Sequence, residues 1–476
     1  MAEKTLKHQA ISSLFWKIIE TGGTQIIQFI ISVFLARLVM PEQFASIALL
    51  SIFLAVSRVF INGGLTSALI RKKDRTQTDC CTVFYFNIFV SLICYIIIYL
   101  IAPLVAKFYD LPELTILMRI MGLTIIITSF SAIHTTLFTA NLNFKAITKY
   151  NIASMFISGV AGIYLAYLGW QVWALVAQAL IGVVITTGFM WYCSHWRPSL
   201  LFSWKSFKEF FGFGSKLLVS SLIDTIYVNI YGVVIGKVFV KSDLAFFNRA
   251  QSLNVLTSST PTSVLASVTY PTLCKIQDDD DRLREGYRKM ICLSAFVIFP
   301  LSLGLGAVSY PLINVLYTNI WIYAASLLQI LVFAGMWYPI HAINLNLLIV
   351  KGRSDIFLRL EIIKKIIGVS IMIGTVPLGI EAMCYGTIVS SLISLLINTY
   401  YTGKLINMGI IKQLKDIYHI LILSLIMFAS CKLISTILGN GIQSLVISVL
   451  CGIIIYFGGA VIFKFKELPM LLNIHK

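Results

Sequence analysis

Ionisable side chains interrupt the long apolar runs of this sequence. Their positions are Lys17, Glu20, Arg58, His134, Lys216, Asp224 and Arg249. A charged group loses its hydration in a hydrocarbon layer, so such residues face a cavity, pair with one another or mark a transport path. The basic members outnumber the acidic ones, which favours an anionic ligand over a cationic one.

A second polar feature is the run Asp278–Asp281, in the most hydrophilic part of the chain. Four aspartates are compatible with a metal site of an enzyme acting on sugar nucleotides, or with the solvated start of a helix. Arg282, Arg284 and Arg288 follow, and acids before bases suit the two ends of a helix dipole. The loop is too short for a nucleotide-binding domain. We therefore interpret the run as a helix start and predict no metal site.

Membrane-spanning helices are the elements that must position these residues. Of 476 residues, 58% are apolar and 12% are charged, and the mean hydropathy is +0.89. A soluble domain cannot bury so much apolar surface, whereas apolar runs of about 20 residues match a hydrocarbon core about 30 Å thick. The composition predicts an all-α polytopic membrane protein.

Hydropathy along the chain predicts about fourteen transmembrane helices. They lie at roughly 14–37, 44–63, 80–104, 115–138, 148–168, 171–192, 212–236, 245–268, 290–316, 322–346, 357–376, 378–400, 416–437 and 441–463. The span 245–268 is the most polar of them. We expect it to contact protein or a water-filled cavity rather than lipid.

Basic residues concentrate in alternate loops, which predicts the orientation of the chain. The loops of the opposite set carry little Lys or Arg beyond Arg37, Lys107, Lys237 and Lys241. Because positive charge is retained on the cytoplasmic side, both termini are predicted to be cytoplasmic. The formal net charge of +17 is then explained by topology and by attraction to anionic lipids, and not by a nucleic-acid surface.

Neither the loops nor the cysteines indicate an enzyme. No loop is long enough for a folded catalytic domain, so the spans must carry the function. The nine cysteines lack metal-ligand spacing and predict buried thiols rather than disulfides. The first apolar run contains Lys17 and Glu20 and no small-residue cleavage site, so it predicts a retained span and not a signal peptide.

An internal repeat relates the two halves of the chain. LARLVMPEQFASIA from Leu35 aligns without gaps on IGKVFVKSDLAFFN from Ile235, which places Arg37 on Lys237. Each stretch is predicted to be a short external hairpin at the start of a six-span half. Since six is even, the halves would be parallel repeats around a central cavity suited to alternating access.

Several longer stretches carry a resemblance to a known family. They are FGSKLLVSSLIDTIYVNIYGVVIGK at 213–237, GWQVWALVAQ at 169–178, YPTLCKIQDD at 270–279 and INLNLLIVKGRSDIFLRLEIIKK at 343–365. The sequence resembles, over nearly its whole length, the polysaccharide-flippase branch of the multidrug, oligosaccharidyl-lipid and polysaccharide exporter superfamily. The run KGRSDIFLRLEIIKK is quite specific to that branch.

The resemblance implies two six-helix bundles plus two C-terminal helices, with domains at 1–195, 196–402 and 403–476. It implies alternating access that moves an oligosaccharide repeat unit on undecaprenyl diphosphate from the cytoplasmic to the external leaflet. The protein would then be a transporter of the inner (cytoplasmic) membrane, serving lipopolysaccharide, capsule or exopolysaccharide synthesis. Its partners would be the lipid-linked oligosaccharide and membrane lipids. No cofactor is predicted.

A diphosphate needs cationic groups to cross the membrane, and one set of candidates lies toward the cytoplasmic side. Arg58, His134 and Lys216 would form a cationic floor open to the cytoplasm, and Lys17 would either contact the phosphate or anchor the helix at the interface. His134 is at a similar depth, and a lone histidine more often packs than binds. Glu20, one turn deeper than Lys17, is a candidate for coupling or for pairing in the cavity.

Two further candidates lie elsewhere in the predicted spans. Arg249 and Arg119 fall near external helix ends, and the polar surroundings of Arg249 favour it as an outward receiving site. Asp224 is central in its span, where an isolated carboxylate would protonate or find a cation. Structural pairing, proton or sodium coupling and substrate contact are all compatible with Asp224.

Alternatives remain at this stage. The tract Lys351–Lys365 predicts an amphipathic helix start at the head groups, or a docking site for polysaccharide assembly enzymes. The function could instead be that of an ion-coupled drug or cation exporter of the same superfamily, which should present acidic groups to its substrate. A membrane glycan polymerase or ligase would need a sizeable external loop, which the sequence lacks.

Overall fold

The computed structural model describes the backbone of residues 2–62, 64–72, 74–141 and 143–472. Within these ranges it leaves out the side chains of residues 2–15, 17–18, 62, 216, 267–268, 270–272 and 471–472. Lys17 and Lys216, two of the predicted site residues, therefore have side chains that lie outside the described residues.

The described part of the chain is helical and contains no strand. Its nineteen α-helices are α1 (Ala2–Leu38), α2 (Pro41–Asn62), α3 (Leu65–Arg71), α4 (Gln77–Phe108), α5 (Glu113–Ala140), α6 (Phe144–Tyr167), α7 (Val172–Cys193), α8 (Trp204–Val238), α9 (Lys241–Thr257), α10 (Ser259–Cys274), α11 (Asp280–Ala307), α12 (Ser309–Tyr317), α13 (Ile322–Gly335), α14 (Tyr338–Val350), α15 (Ser354–Thr375), α16 (Ile380–Ile406), α17 (Ile410–Leu438), α18 (Ile442–Ile462) and α19 (Glu467–Leu472). The all-α prediction is confirmed.

Twelve stretches of the described chain are long and apolar enough to cross a membrane, which makes this a multi-pass membrane protein. The predicted count of fourteen is not confirmed. The two predicted spans outside the twelve are 245–268 and 357–376. The first is divided at Ser258 between the polar helices α9 and α10, and the second lies in α15, whose charged residues lower its hydropathy.

The chain divides into two compact units, Met1–Ala245 and Phe246–Lys476. In the first unit, α4 packs on α5, α1 on α6, α6 on α7 and α2 on α8. In the second, α11 packs on α17, α17 on α18, α15 on α16 and α10 on α14. The predicted domains 1–195, 196–402 and 403–476, and the parallel repeat, stay predictions.

A polar network holds one end of the first unit together. Thr76 and Asp79 form a capping box that starts α4, because each side chain accepts a hydrogen bond from the backbone N–H of the other residue. Lys72 then pairs with Asp79 at 3.1 Å and with Glu209 of α8 at 3.4 Å. These bonds fix the starts of α4 and α8 relative to α3.

A buried hydrogen-bond network holds four helices of the second unit together. Asn344 Oδ1 accepts hydrogen bonds from the Tyr287 hydroxyl at 2.8 Å, the Thr402 hydroxyl at 3.0 Å and Gln413 Nε2 at 3.2 Å. All four residues are buried. Since unpaired polar groups are costly away from water, this network specifies how α11, α14, α16 and α17 meet.

The acidic run Asp278–Asp281 lies at the start of α11. The Asp279 side chain accepts hydrogen bonds from the backbone N–H groups of Asp281 and Arg282, which makes it the N-cap. Arg284 pairs with Asp281 at 2.9 Å. The predicted helix start, with acids first and bases later, is confirmed.

Candidate functional site

The predicted site residues whose side chains are described lie on five helices. Glu20 is on α1, Arg58 on α2, His134 on α5, Asp224 on α8 and Arg249 on α9. The first four belong to the first compact unit and Arg249 to the second. Each of these side chains has its own surroundings.

Arg58 is an exposed guanidinium inside an apolar span. It follows Pro41 of the span Pro41–Arg71 by seventeen residues, which places it about 26 Å along a helix rising about 1.5 Å per residue. Its side chain is exposed and has no hydrogen-bond or ion-pair partner among the described residues. A guanidinium in this state offers its planar donors to a phosphate.

Glu20 is tied to a neighbouring helix. Its Oε1 accepts a hydrogen bond of 3.1 Å from Asn151 Nδ2 of α6, and α1 and α6 pack along their length. The carboxylate is half-buried. This geometry holds a negative charge at a fixed place on α1 and gives it a polar anchor in α6.

Asp224 is exposed near the middle of α8. Ile223, Ile226 and Val228 around it are exposed as well. Little of the span Leu217–Val238 is buried, since only 6% of an apolar 18-residue stretch within it is enclosed by protein. A carboxylate at such a position can exchange a proton or a cation with a cavity, or take part in a charge pair.

His134 packs inside an aromatic cluster. It is fully buried, and its ring centroid lies 5.0 Å from that of Trp191 and 5.4 Å from that of Trp196. Neither ring nitrogen has a hydrogen-bond partner among the described atoms. This arrangement argues for the packing alternative, and substrate contact by His134 stays an untested prediction.

Arg249 lies between two buried aromatic rings of the second unit. Its guanidinium carbon is 4.8 Å from the centroid of Tyr317 and 5.1 Å from that of Trp321. Tyr317 and Trp321 are each 1% exposed, and Arg249 is 9% exposed. The aromatic faces stabilise the charge at low hydration. In this structure the guanidinium is enclosed rather than open, so its predicted receiving role stays a prediction.

Sequence reasoning did not single out two polar sites within spans. Lys432 of α17 donates to Gln329 Oε1 at 2.9 Å, and Gln329 Nε2 donates to the Gly306 carbonyl at 3.3 Å. His341 Nε2 lies 3.0 Å from the Ser391 hydroxyl. The signal was available, because Lys432 and His341 both interrupt apolar runs.

The tract Lys351–Lys365 is partly paired within itself. Arg353 donates to both carboxylate oxygens of Asp355, at 3.0 and 3.1 Å, and this bonding holds the pKa of that carboxyl below its usual value. Lys364 pairs with Glu361 at 2.6 Å. These contacts stabilise the start of α15 without requiring a partner.

The described residues include no group of three or more His, Cys, Asp or Glu that could hold a metal ion. The longest stretch between their α-helices runs from 194 to 203. The chemistry available is therefore that of intramembrane charges: an open guanidinium, two carboxylates and an enclosed guanidinium.

The fold and the site define this protein as a multi-pass helical membrane protein with charged residues inside its spans. The family model described as "Polysaccharide biosynthesis protein" matches residues 34–326. The chain belongs to this family of polysaccharide biosynthesis proteins.

Individual relatives and solved structures resemble this chain over most of its length. The chain is 25% identical over 357 residues to the teichuronic acid biosynthesis protein TuaB of Bacillus subtilis (strain 168), covering 74% of this chain and 73% of the relative. Among solved structures, the lipid II flippase MurJ in an inward closed conformation matches with a TM-score of 0.74 and 17% identity. That match covers 94% of this chain and 98% of MurJ.

An inward-facing multidrug resistance MATE family transporter of the MOP superfamily matches with a TM-score of 0.66 and 17% identity. The match covers 81% of this chain and 94% of the MATE transporter. At these identities the structural matches show a shared fold. The higher score and fuller coverage place this chain nearer to MurJ in fold than to this MATE transporter.

Proposed function

We propose that this protein is a flippase that moves lipid-linked oligosaccharide repeat units across the cell membrane by alternating access. Its family consists of polysaccharide biosynthesis proteins, and a lipid II flippase shares its fold over nearly the whole chain. The protein acts as a transporter and not as an enzyme. Its product is a repeat unit presented to the machinery that builds an external polysaccharide.

The open guanidinium of Arg58 is the observation that carries this proposal. An unpaired cation in a span costs free energy, and that cost is offset when an anionic ligand occupies the site. A diphosphate has several acceptor oxygens that match the forked donors of arginine. A cationic drug would be repelled by the same group. The charge at this position therefore favours the flippase over the drug or cation exporter.

The finer features of the transport cycle belong to the same proposal. The substrate is carried on undecaprenyl diphosphate and moves from the cytoplasmic to the external leaflet of the inner membrane, with both termini cytoplasmic. Lys17 and Lys216 join Arg58 in receiving the diphosphate, and Arg249 acts on the outward side. Polysaccharide assembly enzymes dock at the cytoplasmic tract Lys351–Lys365.

The energy source is proposed to involve a carboxylate. Asp224 is exposed in mid-span, whereas Glu20 is half-buried, so Asp224 is the more accessible of the two for ion exchange. Two roles are separable by experiment: taking up a coupling proton or sodium ion, and forming a charge pair within the transport path.

The test is made in a strain that lacks this protein. Membrane lipids are extracted, diphosphate-linked oligosaccharide is quantified by mass spectrometry, and its leaflet is probed in sealed cells with a membrane-impermeant glycan-modifying reagent. The proposal expects accumulation of a complete repeat unit that the reagent cannot reach. Restoring the wild-type chain should return the repeat unit to the reagent, whereas a chain with Arg58→Gln should not.

Two outcomes would overturn the proposal. Unchanged lipid-linked glycan in the deletion strain would exclude a flippase and direct attention to drug or cation export. Incomplete repeat units would place the protein in glycan assembly instead. The mass of an accumulated complete unit would identify the glycan.

A further inference from the structure

A groove opens at one end of the second compact unit, and its surface is basic at the rim and apolar at the floor. Its volume is about 760 Å³. The first turns of α11, the first half of α17, the turn after α18 and the start of α19 line it. We call this surface the C-terminal groove. Its basic residues are Arg288, Lys289, Lys415, Lys464 and Lys466, and its acidic residues are Glu285, Asp416 and Glu467.

The acidic groups of the C-terminal groove are already engaged. Asp416 forms a two-pronged ion pair with Arg288, at 2.6 and 2.7 Å. Glu285 pairs with Lys289 at 2.6 Å. The third acid, Glu467, is nearly buried and lies 3.5 Å from an imidazole nitrogen of His419. Two of the three groove carboxylates are therefore already engaged in ion pairs with Arg288 and Lys289.

Three lysines of the groove remain exposed and uncompensated. Lys415, Lys464 and Lys466 have no carboxylate partner among the described side chains. Lys415 is near the start of α17, and the other two are in the turn between α18 and α19. They come from two places in the chain and converge on one cavity. Three ammonium groups around one opening attract a phosphate.

The floor of the groove continues into a membrane span. Ile422 and Ile426 follow Lys415 along α17 by about 10 and 16 Å, at a rise of about 1.5 Å per residue. Both isoleucines are 51% exposed, and the neighbouring Phe463 is 69% exposed. They lie in or beside the spans Ile410–Leu438 and Ile442–Ile462. Cationic groups thus lie near the end of the span α17, and exposed apolar side chains follow about two to three turns further along it.

We propose that the C-terminal groove binds an anionic phospholipid of the bilayer. Lys415, Lys464 and Lys466 hold its phosphate, and an acyl chain lies along Ile422 and Ile426. A soluble phosphate has no apolar group that could contact the floor of the groove. A cytosolic protein would not reach the residues inside the span. This inference does not depend on the transported substrate, because the lipid is a resident of the membrane and not the cargo.

The experiment measures lipid retention by native mass spectrometry. The full chain is purified in detergent and titrated with phosphatidylglycerol and, separately, with zwitterionic phosphatidylethanolamine. The test variant is K415Q/K464Q/K466Q. The matched control is K275Q/R359Q/K404Q, which removes the same charge from three exposed residues of the same unit that do not line the groove.

We expect phosphatidylglycerol to bind about tenfold or more weakly to the test variant, since each lysine contributes about 1 kcal/mol toward an anionic lipid. The control variant should stay within about twofold of the wild type, and phosphatidylethanolamine should bind weakly to all three proteins. Equal losses in both variants would overturn the proposal, because they would indicate a general attraction of anionic lipid to positive charge.

Two further experiments distinguish a bound lipid from inorganic phosphate and from a partner protein. Millimolar inorganic phosphate should leave bound phosphatidylglycerol in place, and displacement by phosphate would overturn the lipid assignment. A photoreactive amino acid at position 426, activated in cells, should give a lipid adduct on the intact chain. A polypeptide adduct at that position would replace the lipid by a partner protein and so contradict the proposal.

Discussion

The guanidinium carbon of Arg249 lies 4.8 Å from the ring centroid of Tyr317, and both residues are buried in the second unit. Trp321 covers the guanidinium at 5.1 Å. A polar helix, α9, thus contributes its only arginine to an aromatic pocket formed around the end of α12. The pocket explains how α9, a helix too polar to face lipid, is accommodated within a membrane protein.

Replacing Arg249 by lysine should destabilise the protein, because the planar stacking on two rings is lost while the charge stays buried. We expect a loss of about 2 kcal/mol in the free energy of unfolding. Thermal unfolding in detergent measures it. The control is Arg119→Lys, because Arg119 stacks at 4.0 Å on the exposed ring of Tyr99. That exposed pair should lose about 0.5 to 1 kcal/mol. Equal losses would contradict the difference in burial.

Arg58 provides a prediction for transport. Arg58→Gln should lower transport of the lipid-linked oligosaccharide about 10- to 100-fold, since one charge-assisted hydrogen bond contributes about 1.5–3 kcal/mol. Arg58→Lys should retain intermediate activity because the charge is kept. Lys107→Gln removes an exposed charge at the end of α4 and should leave transport unchanged. Full activity of Arg58→Gln would remove this residue from the substrate path.

Asp224 provides a prediction about coupling. In proteoliposomes, Asp224→Asn should abolish stimulation of transport by an imposed proton or sodium gradient, while Asp224→Glu should preserve it, because only a carboxylate can exchange the ion. Since Asp224 is exposed, the thermal stability of both variants should stay close to that of the wild type. A large drop in stability with the gradient response intact would assign Asp224 to structural pairing instead.

Gly214 of α8 approaches the backbone of Gly64, which precedes α3. A Cβ at Gly214 would lie 2.6 Å from the carbonyl carbon and 2.7 Å from the carbonyl oxygen of Gly64. Backbone atoms cannot relieve this clash by a change of rotamer. Gly214→Ala should therefore push α8 away from the backbone at Gly64 and destabilise the protein by about 1–3 kcal/mol.

Gly212, two residues earlier in the same helix, is the matched control. A Cβ there would meet nothing within 4 Å. Gly212→Ala should therefore be neutral or stabilising by up to about 1 kcal/mol, through the higher helix propensity of alanine. Thermal unfolding of the two variants in the same detergent compares them directly. Similar stabilities would contradict the close approach of α3 and α8.

Much of the secondary structure was readable from local pattern. Apolar runs predicted the long helices, because a backbone in hydrocarbon must satisfy its own hydrogen bonds. The acidic run Asp278–Asp281 predicted the start of α11, because capping and dipole effects act over only a few residues. The count of spans was less secure. Two predicted spans are not among the twelve, because the break at Ser258 divides 245–268 into two short helices and because charged residues lower the hydropathy of α15.

The surroundings of each candidate residue were not readable in the same way. His134 and Arg58 both interrupt apolar runs, yet one is enclosed by Trp191 and Trp196 and the other is exposed. The Lys72–Asp79–Glu209 network joins residues far apart in the chain. Such contacts depend on which helix faces pack together, and hydropathy does not encode the rotation of a helix about its axis.

The sequence is enough to identify a helical, multi-pass membrane protein with an excess of basic charge, because these properties follow from composition and local periodicity. It also carried the family resemblance. Helix packing is needed to tell which charges are enclosed, as Arg249 is by Tyr317, and which are exposed, as Arg58 and Lys415 are. The physical reason is that burial and pairing are properties of neighbouring helices, and the residues that create them are distant in sequence.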